Sequence, residues 1–165
     1  MEEAVKIDRG LAKTDLYDLN SMAATLNNLG NCYKAMGRRQ NALATSEEAV
    51  KIRRELAETN PLLQDELAAS VGNLGNRYSE LGRLQEALAP TEKAVKIYRG
   101  LAKFHLAYQE SLTINSTNLA LLQLRLANPS AALPLLRESV STEVTYLQGQ
   151  LPLVPEGRRL ALMEV

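Results

Sequence analysis

The chain has 165 residues, with 19 lysines and arginines balanced by 19 aspartates and glutamates, and only 4% aromatic residues. A formal net charge of zero lacks the uncompensated cations on which phosphate binding rests, so nucleic acid is excluded as an expected partner. One cysteine, Cys32, and one histidine, His105, leave no intramolecular disulfide and no structural zinc, and no cofactor is expected. The start, Met1-Glu2-Glu3-Ala4-Val5-Lys6, is acidic where a secretion signal is basic, and no apolar run approaches about 20 residues. The expected setting is cytoplasmic, with no membrane partner.

The chain repeats itself in a register of 45. Val5, Val50, Val95 and Val140 share that spacing, as do Ile7, Ile52 and Ile97, and Leu11, Leu56 and Leu101. Residues 1–45 laid on 46–90 give 23 identities without a gap, and the next overlay gives fewer. Divergence toward an end is what a linear stack predicts, because a terminal unit has one neighbour to match. Within each unit the apolar spacing is helical, and the few Gly and Pro residues are expected between periodic segments.

In chain order, the first predicted element is a lone second helix over residues 1–13, with Glu2 and Lys6 as a solvated i,i+4 pair. A first helix follows and ends at Gly37, which supplies a left-handed residue; a second helix then carries Glu47 and Lys51. Asn60-Pro61 opens the next first helix, which runs to about Leu81 and stops at Gly82; its partner spans about Leu84 to Lys103. At the third turn stands Ala127-Asn128-Pro129, where Asn128 is expected to adopt the left-handed conformation or cap the helix that Pro129 begins. The predicted fold class is all-α, an α-solenoid of antiparallel helix pairs over residues 1–146. A C-terminal extension, 147–165, falls out of register and reads as a linker to a further domain.

Leu29-Gly30, Tyr33 and Ala42, repeated as Leu74-Gly75, Tyr78 and Ala87, resemble the tetratricopeptide repeat, with windows at 23–56, 68–101 and 113–146. In the third window Ala120 replaces the glycine and Gln123 the tyrosine, so the likeness rests on Leu119, Ala132 and register. A period of 45 exceeds the usual 34 or so by close to three helical turns, which leaves the faces of longer helices in phase. Lengthened units of this kind are similar to the kinesin light chain type found in long bacterial arrays. The tail, Pro152 to Leu160, resembles the segment that links bacterial tetratricopeptide arrays to a caspase-like effector domain.

That resemblance implies a protein or peptide partner lying in a concave groove lined by first helices. The implied groove positions are Asn27, Asn28, Asn31 and Lys34 on the first unit, Asn73 and Asn76 on the second, and Asn118 on the third. A carboxamide both donates and accepts, so a row of them suits the backbone of an extended peptide. The alternative for Asn28, Asn73 and Asn118 is that they bridge neighbouring helices and satisfy buried carbonyls. Lys34 aligns with Ser79 and Leu124, so no ring of cations for a terminal carboxylate recurs, while Ile114, Leu121 and Leu124 form an apolar face suited to a following helix. Cys32 and His105 are placed on different elements, with Arg77 at the position equivalent to Cys32, and no catalytic pairing is expected; the chain reads as a non-enzyme. The second functional reading is structural: a spacer or self-association unit of a larger protein, regulating an attached effector domain and forming homo-oligomers through the solenoid ends.

Overall fold

The structure, a computed structural model, describes residues 16–150. The lone helix expected at 1–13 and residues 151–165 of the extension expected at 147–165 lie outside the described residues, while residues 147–150 continue the last helix.

Six α-helices follow one another: α1 Leu16–Ala35, α2 Arg39–Thr59, α3 Gln64–Glu80, α4 Leu84–Ala102, α5 Gln109–Arg125 and α6 Pro129–Gln150. Short 3₁₀ turns, Pro61–Leu63 and Leu106–Tyr108, lead into α3 and α5. Each odd helix packs on the even helix after it, and α2 and α4 pack in turn on α3 and α5. The result is the expected all-α solenoid, with α1, α3 and α5 side by side on one face and α2, α4 and α6 on the other.

The same hydrogen bonds turn the chain within every pair. Gly37 N–H donates to Lys34 O and Arg38 N–H to Tyr33 O; Gly82 and Arg83 do the same to Ser79 and Tyr78, and Ala127 and Asn128 to Leu124 and Gln123. This is a Schellman closure, and it needs a left-handed residue at its corner. Gly37 and Gly82 supply it with φ of 73° and 75°. In the third turn the left-handed residue is Ala127, at φ 57°, and not Asn128. Asn128 instead precedes Pro129 at the start of α6 and accepts a hydrogen bond from Ser130 Oγ at 2.9 Å. Asn60 behaves similarly, its Oδ1 accepting from Leu62 N–H at 3.1 Å while Pro61 opens the 3₁₀ turn.

The residues that carry the repeat signature fill the contact between paired helices. Leu29, Tyr33, Leu74 and Leu119 are buried, and Ala42, Ala87 and Ala132 are sealed from solvent. Tyr78 is half-buried and its hydroxyl donates to Glu47 Oε1 at 2.8 Å. Gly30 and Gly75 mark the closest approach, where the nearest atoms belong to Thr45 and Thr91 more than to the alanines. A Cβ on Gly30 would lie 2.9 Å from Thr45 Oγ1, and one on Gly75 would press into Thr91.

Glycine and proline are not confined to the gaps between helices. Pro90 and Pro134 stand inside α4 and α6, and Gly30, Gly72 and Gly75 stand inside first helices. An interior proline removes one helical hydrogen bond, a cost of about 3 kcal/mol in an isolated helix that packing must offset. The core is continuous along the stack: Leu43, Val50 and Ala57 of α2 join Leu67, Val71 and Leu74 of α3 and Ala94 of α4 in one cluster. At about 1.5–3 kcal/mol for each fully buried large aliphatic side chain, such inter-unit clusters hold the stack together.

Candidate peptide-binding face

The odd helices meet along one face, and polar pairs join them at two recurring heights. Asn27 Nδ2 on α1 donates to Ser70 Oγ on α3 at 2.8 Å. Nearer the turn, Arg77 Nη2 donates to Asn31 Oδ1 at 2.5 Å, and Lys34 Nζ stands 2.7 Å from Glu80 Oε1. Arg77 is buried, and its Nη1 lies 3.3 Å from Glu80 Oε2. A buried guanidinium demands a partner charge, which Glu80 supplies while Asn31 accepts from Arg77 and Lys34 pairs with the same carboxylate; Arg77 Nε is left without a partner.

The junction between α3 and α5 is built differently. Gly72 takes the place of Asn27 and Asn115 the place of Ser70, so the large residue has moved to the later helix; Asn115 Nδ2 donates to Ser111 O at 2.8 Å. Ser79 and Arg125 replace Lys34 and Glu80, with Arg125 donating to the Ser79 hydroxyl and, at 3.3 Å, to Ser79 O. Asn76 stands where Asn31 does, but Leu122 replaces Arg77 opposite it. A hollow of about 460 Å³ remains, lined by Asn76, Ser79, Asn118, Leu121, Leu124 and Arg125.

The seven residues expected in the groove therefore divide. Asn27, Asn31 and Lys34 are tied to Ser70, Arg77 and Glu80, whereas Asn76 and Asn118 line the hollow together. Asn28 is exposed on α1, and Asn73 is half-buried on α3 in the row that Asn118 continues on α5. Asn27 and Asn31 bridge neighbouring first helices, through a hydroxyl and a guanidinium. Comparing units did not expose their partners, because it pairs positions 45 apart while these contacts join residues 43 and 46 apart.

Near the starts of α1 and α3 a second polar cluster ties these helices to α2. Arg53 is buried, its Nη2 3.4 Å from Asn20 O and its Nη1 3.7 Å from Glu66 Oε1. One unit on, Tyr98 occupies the same position and its hydroxyl donates to Asp65 O, again at 3.4 Å. Burial lowers the Arg53 pKa against the opposing pull of Glu66 and Asp65. Burial, with the adjacent Asp65 carboxyl, raises the Glu66 pKa from its ordinary value. Burial also pushes Asp65 upward, but hydrogen bonds from Glu66 and from Tyr108 Oη at 3.2 Å leave it below its ordinary value.

Cys32 is half-buried on α1, and His105 is exposed ahead of the second 3₁₀ turn, its ring edge-on to Tyr108 at 6.2 Å. Among the described residues no three His, Cys, Asp or Glu side chains converge as a metal site, and no helix is long and apolar enough to cross a membrane.

Residues 21–100 match the tetratricopeptide repeat family. Among solved structures, BtubC (BKLC) from P. vanneervenii superposes with a TM-score of 0.64 at 23% identity, over 86% of this chain and 53% of that one. This chain thus spans about half the length of that protein, and the likeness is one of fold. No curated protein matches the chain.

Proposed function

We propose that this chain is a protein–protein interaction module that holds an extended peptide segment of a partner against its odd helices. The observation that carries the reading is the hollow between α3 and α5, where two carboxamides, a guanidinium and three leucines line one open space. Asn76 and Asn118 suit a peptide backbone, Arg125 an acidic group, and Leu121 and Leu124 an apolar side chain beside it. The match of residues 21–100 to a family of interaction scaffolds supports the same reading. In it the whole described stack is a tetratricopeptide array with lengthened, kinesin light chain-like units, acting in the cytoplasm and performing no catalysis. Its partner is a protein or peptide, not nucleic acid or a membrane.

The test is a fluorescence-anisotropy screen with a library of labelled decapeptides that place an aliphatic residue next to an aspartate or glutamate. Asn76→Ala with Asn118→Ala should weaken the best binder by about 5- to 100-fold, the loss of two hydrogen bonds at about 0.5–1.5 kcal/mol each. Asn28→Ala should change little. Affinity untouched by the double substitution in a chain that keeps its helicity would overturn the assignment.

A further inference from the structure

The even helices leave a hollow at each of their junctions, and the two hollows differ. The first lies between α2 and α4 over the start of α3, with Arg54, Ala57, Gln64 and Leu67 in its lining. The second lies between α4 and α6 over the start of α5, with Arg99, Ala102, Gln109 and Leu112, the same positions 45 residues on. The first measures about 790 Å³ and the second about 210 Å³. At the second junction Arg99 of α4 reaches across to α6 and grips Glu138 with two prongs, Nε to Oε1 and Nη2 to Oε2, each at 2.6 Å. The equivalent residues of the first junction are Arg54 and Lys93, two cations. Both line the wider hollow, and Lys93 is half-buried. Among the described residues neither has a carboxylate within ion-pair distance.

We infer that the groove between α2 and α4 is a second binding surface, which takes a segment of a partner protein carrying one carboxylate among apolar residues. That carboxylate forks on Arg54 as Glu138 forks on Arg99, with Lys93 as a second cation from the opposite wall. Like charges on two walls of a groove repel, and a carboxylate set between them turns repulsion into attraction on both sides. Ala57, Leu67, Ile97 and Leu101 supply the apolar lining for the flanking side chains. The hollow follows α4 from Ala89 to Leu101, about 18 Å of helix, which matches about five or six extended residues. Exposed Glu58 and Glu92 line the same hollow and repel further acids, so a single carboxylate suits it and a polyanion does not. Both walls and the floor are described helices inside the stack, so the register of the repeat places no further helix in the groove. The surface shares no residue with the hollow between α3 and α5.

The probes are fluorescein-labelled octapeptides with a central glutamate among leucine, valine and alanine, each with a glutamine twin, titrated against the full chain by anisotropy. At least one glutamate peptide should bind about tenfold or more tightly than its twin, and the difference should shrink as salt rises. Lys93→Glu supplies the carboxylate from the chain itself, in the pattern of Arg99 with Glu138. It should weaken that peptide about tenfold or more while melting no lower than the parent. Lys93→Gln, which removes the cation and adds no carboxylate, should give a smaller loss. Asn76→Ala with Asn118→Ala should leave this peptide's affinity unchanged, which separates the two surfaces. No binding by any glutamate peptide, as when another part of the chain fills the groove, overturns the inference. So does equal binding by the glutamine twins, or affinity untouched by Lys93→Glu in a chain that keeps its helicity.

Discussion

Gly72 on α3 lies so close to Asn115 on α5 that a Cβ built on the glycine would stand 2.6 Å from Asn115 Oδ1. One junction earlier the same two positions hold Asn27 and Ser70 in a 2.8 Å hydrogen bond. The volume at the contact is kept while its source alternates between helices.

Gly72→Asn should therefore overpack the second junction and cost about 1–3 kcal/mol in a urea unfolding series. Adding Asn115→Ser recreates the Asn27–Ser70 pair and should recover most of the loss. A double variant no more stable than Gly72→Asn alone would show that the two residues are not coupled.

The two signature glycines should differ in their tolerance. At Gly75 a new methyl would sit 3.3 Å from Thr91 Cβ and 3.3 Å from Thr91 N as well as against its hydroxyl, whereas at Gly30 it meets chiefly the Thr45 hydroxyl. The gain in helix propensity, about 1 kcal/mol, applies to both. Thermal melts should find Gly30→Ala near neutral and Gly75→Ala destabilising, with Thr91→Ala, which removes Oγ1 but keeps Cβ and N, giving partial relief.

Ala127 occupies the left-handed corner that glycine fills at Gly37 and Gly82. An L-residue with a Cβ is held there at a cost of about 1 kcal/mol, so Ala127→Gly should raise the melting temperature while Gly82→Ala lowers it. Equal melting temperatures for Ala127→Gly and the parent would place the cost of that turn elsewhere.

The carboxylates at the start of α3 make opposite contributions to acid stability. Asp65 has a depressed folded-state pKa, so its stabilisation is present above the unfolded value of about 3.9 and is lost as pH falls through the folded one. Glu66, raised, contributes below its unfolded value of about 4.3 and loses that share as pH rises through its folded pKa. Tyr108→Phe removes the hydroxyl that donates to Asp65 Oδ2. It should move the Asp65 carboxyl titration, followed by NMR, toward higher pH. Stability at pH 7 should fall, the exposure of the site limiting the effect, with a smaller loss once Asp65 is protonated.

Most of the fold was legible because helix pairs are written in local signals. Gly37, Gly82 and Pro129 punctuate the chain where the turns occur, and the buried signature residues fall at equivalent positions. Of the two places expected for Asn128 it takes the start of the last helix, and the left-handed corner falls to Ala127 although asparagine tolerates that region better than alanine. Register overrides that preference, because Ala127 is the residue equivalent to Gly82 and the Schellman closure fixes which residue must turn. Pro90 and Pro134 show the same priority of packing over propensity. The candidate site was half legible: asparagines recur on one face, but which of them are engaged depends on Ser70, Arg77 and Glu80, whose positions relative to them are set by how helices stack and not by the period.

The exchange of partners from one junction to the next also constrains how this array can change in length. Excision of residues 46–90 would remove one helix pair with its Gly82 turn, splice the start of α2 onto the end of α4 in register, and bring α1 against α5. Asn27 would then meet Asn115, two large side chains where each native junction admits one, and Lys34 would meet Arg125, two cations where a cation now meets a carboxylate. Units that look interchangeable in sequence are keyed to their neighbours, so loss of one by recombination leaves a seam that only compensating substitutions on both sides can close.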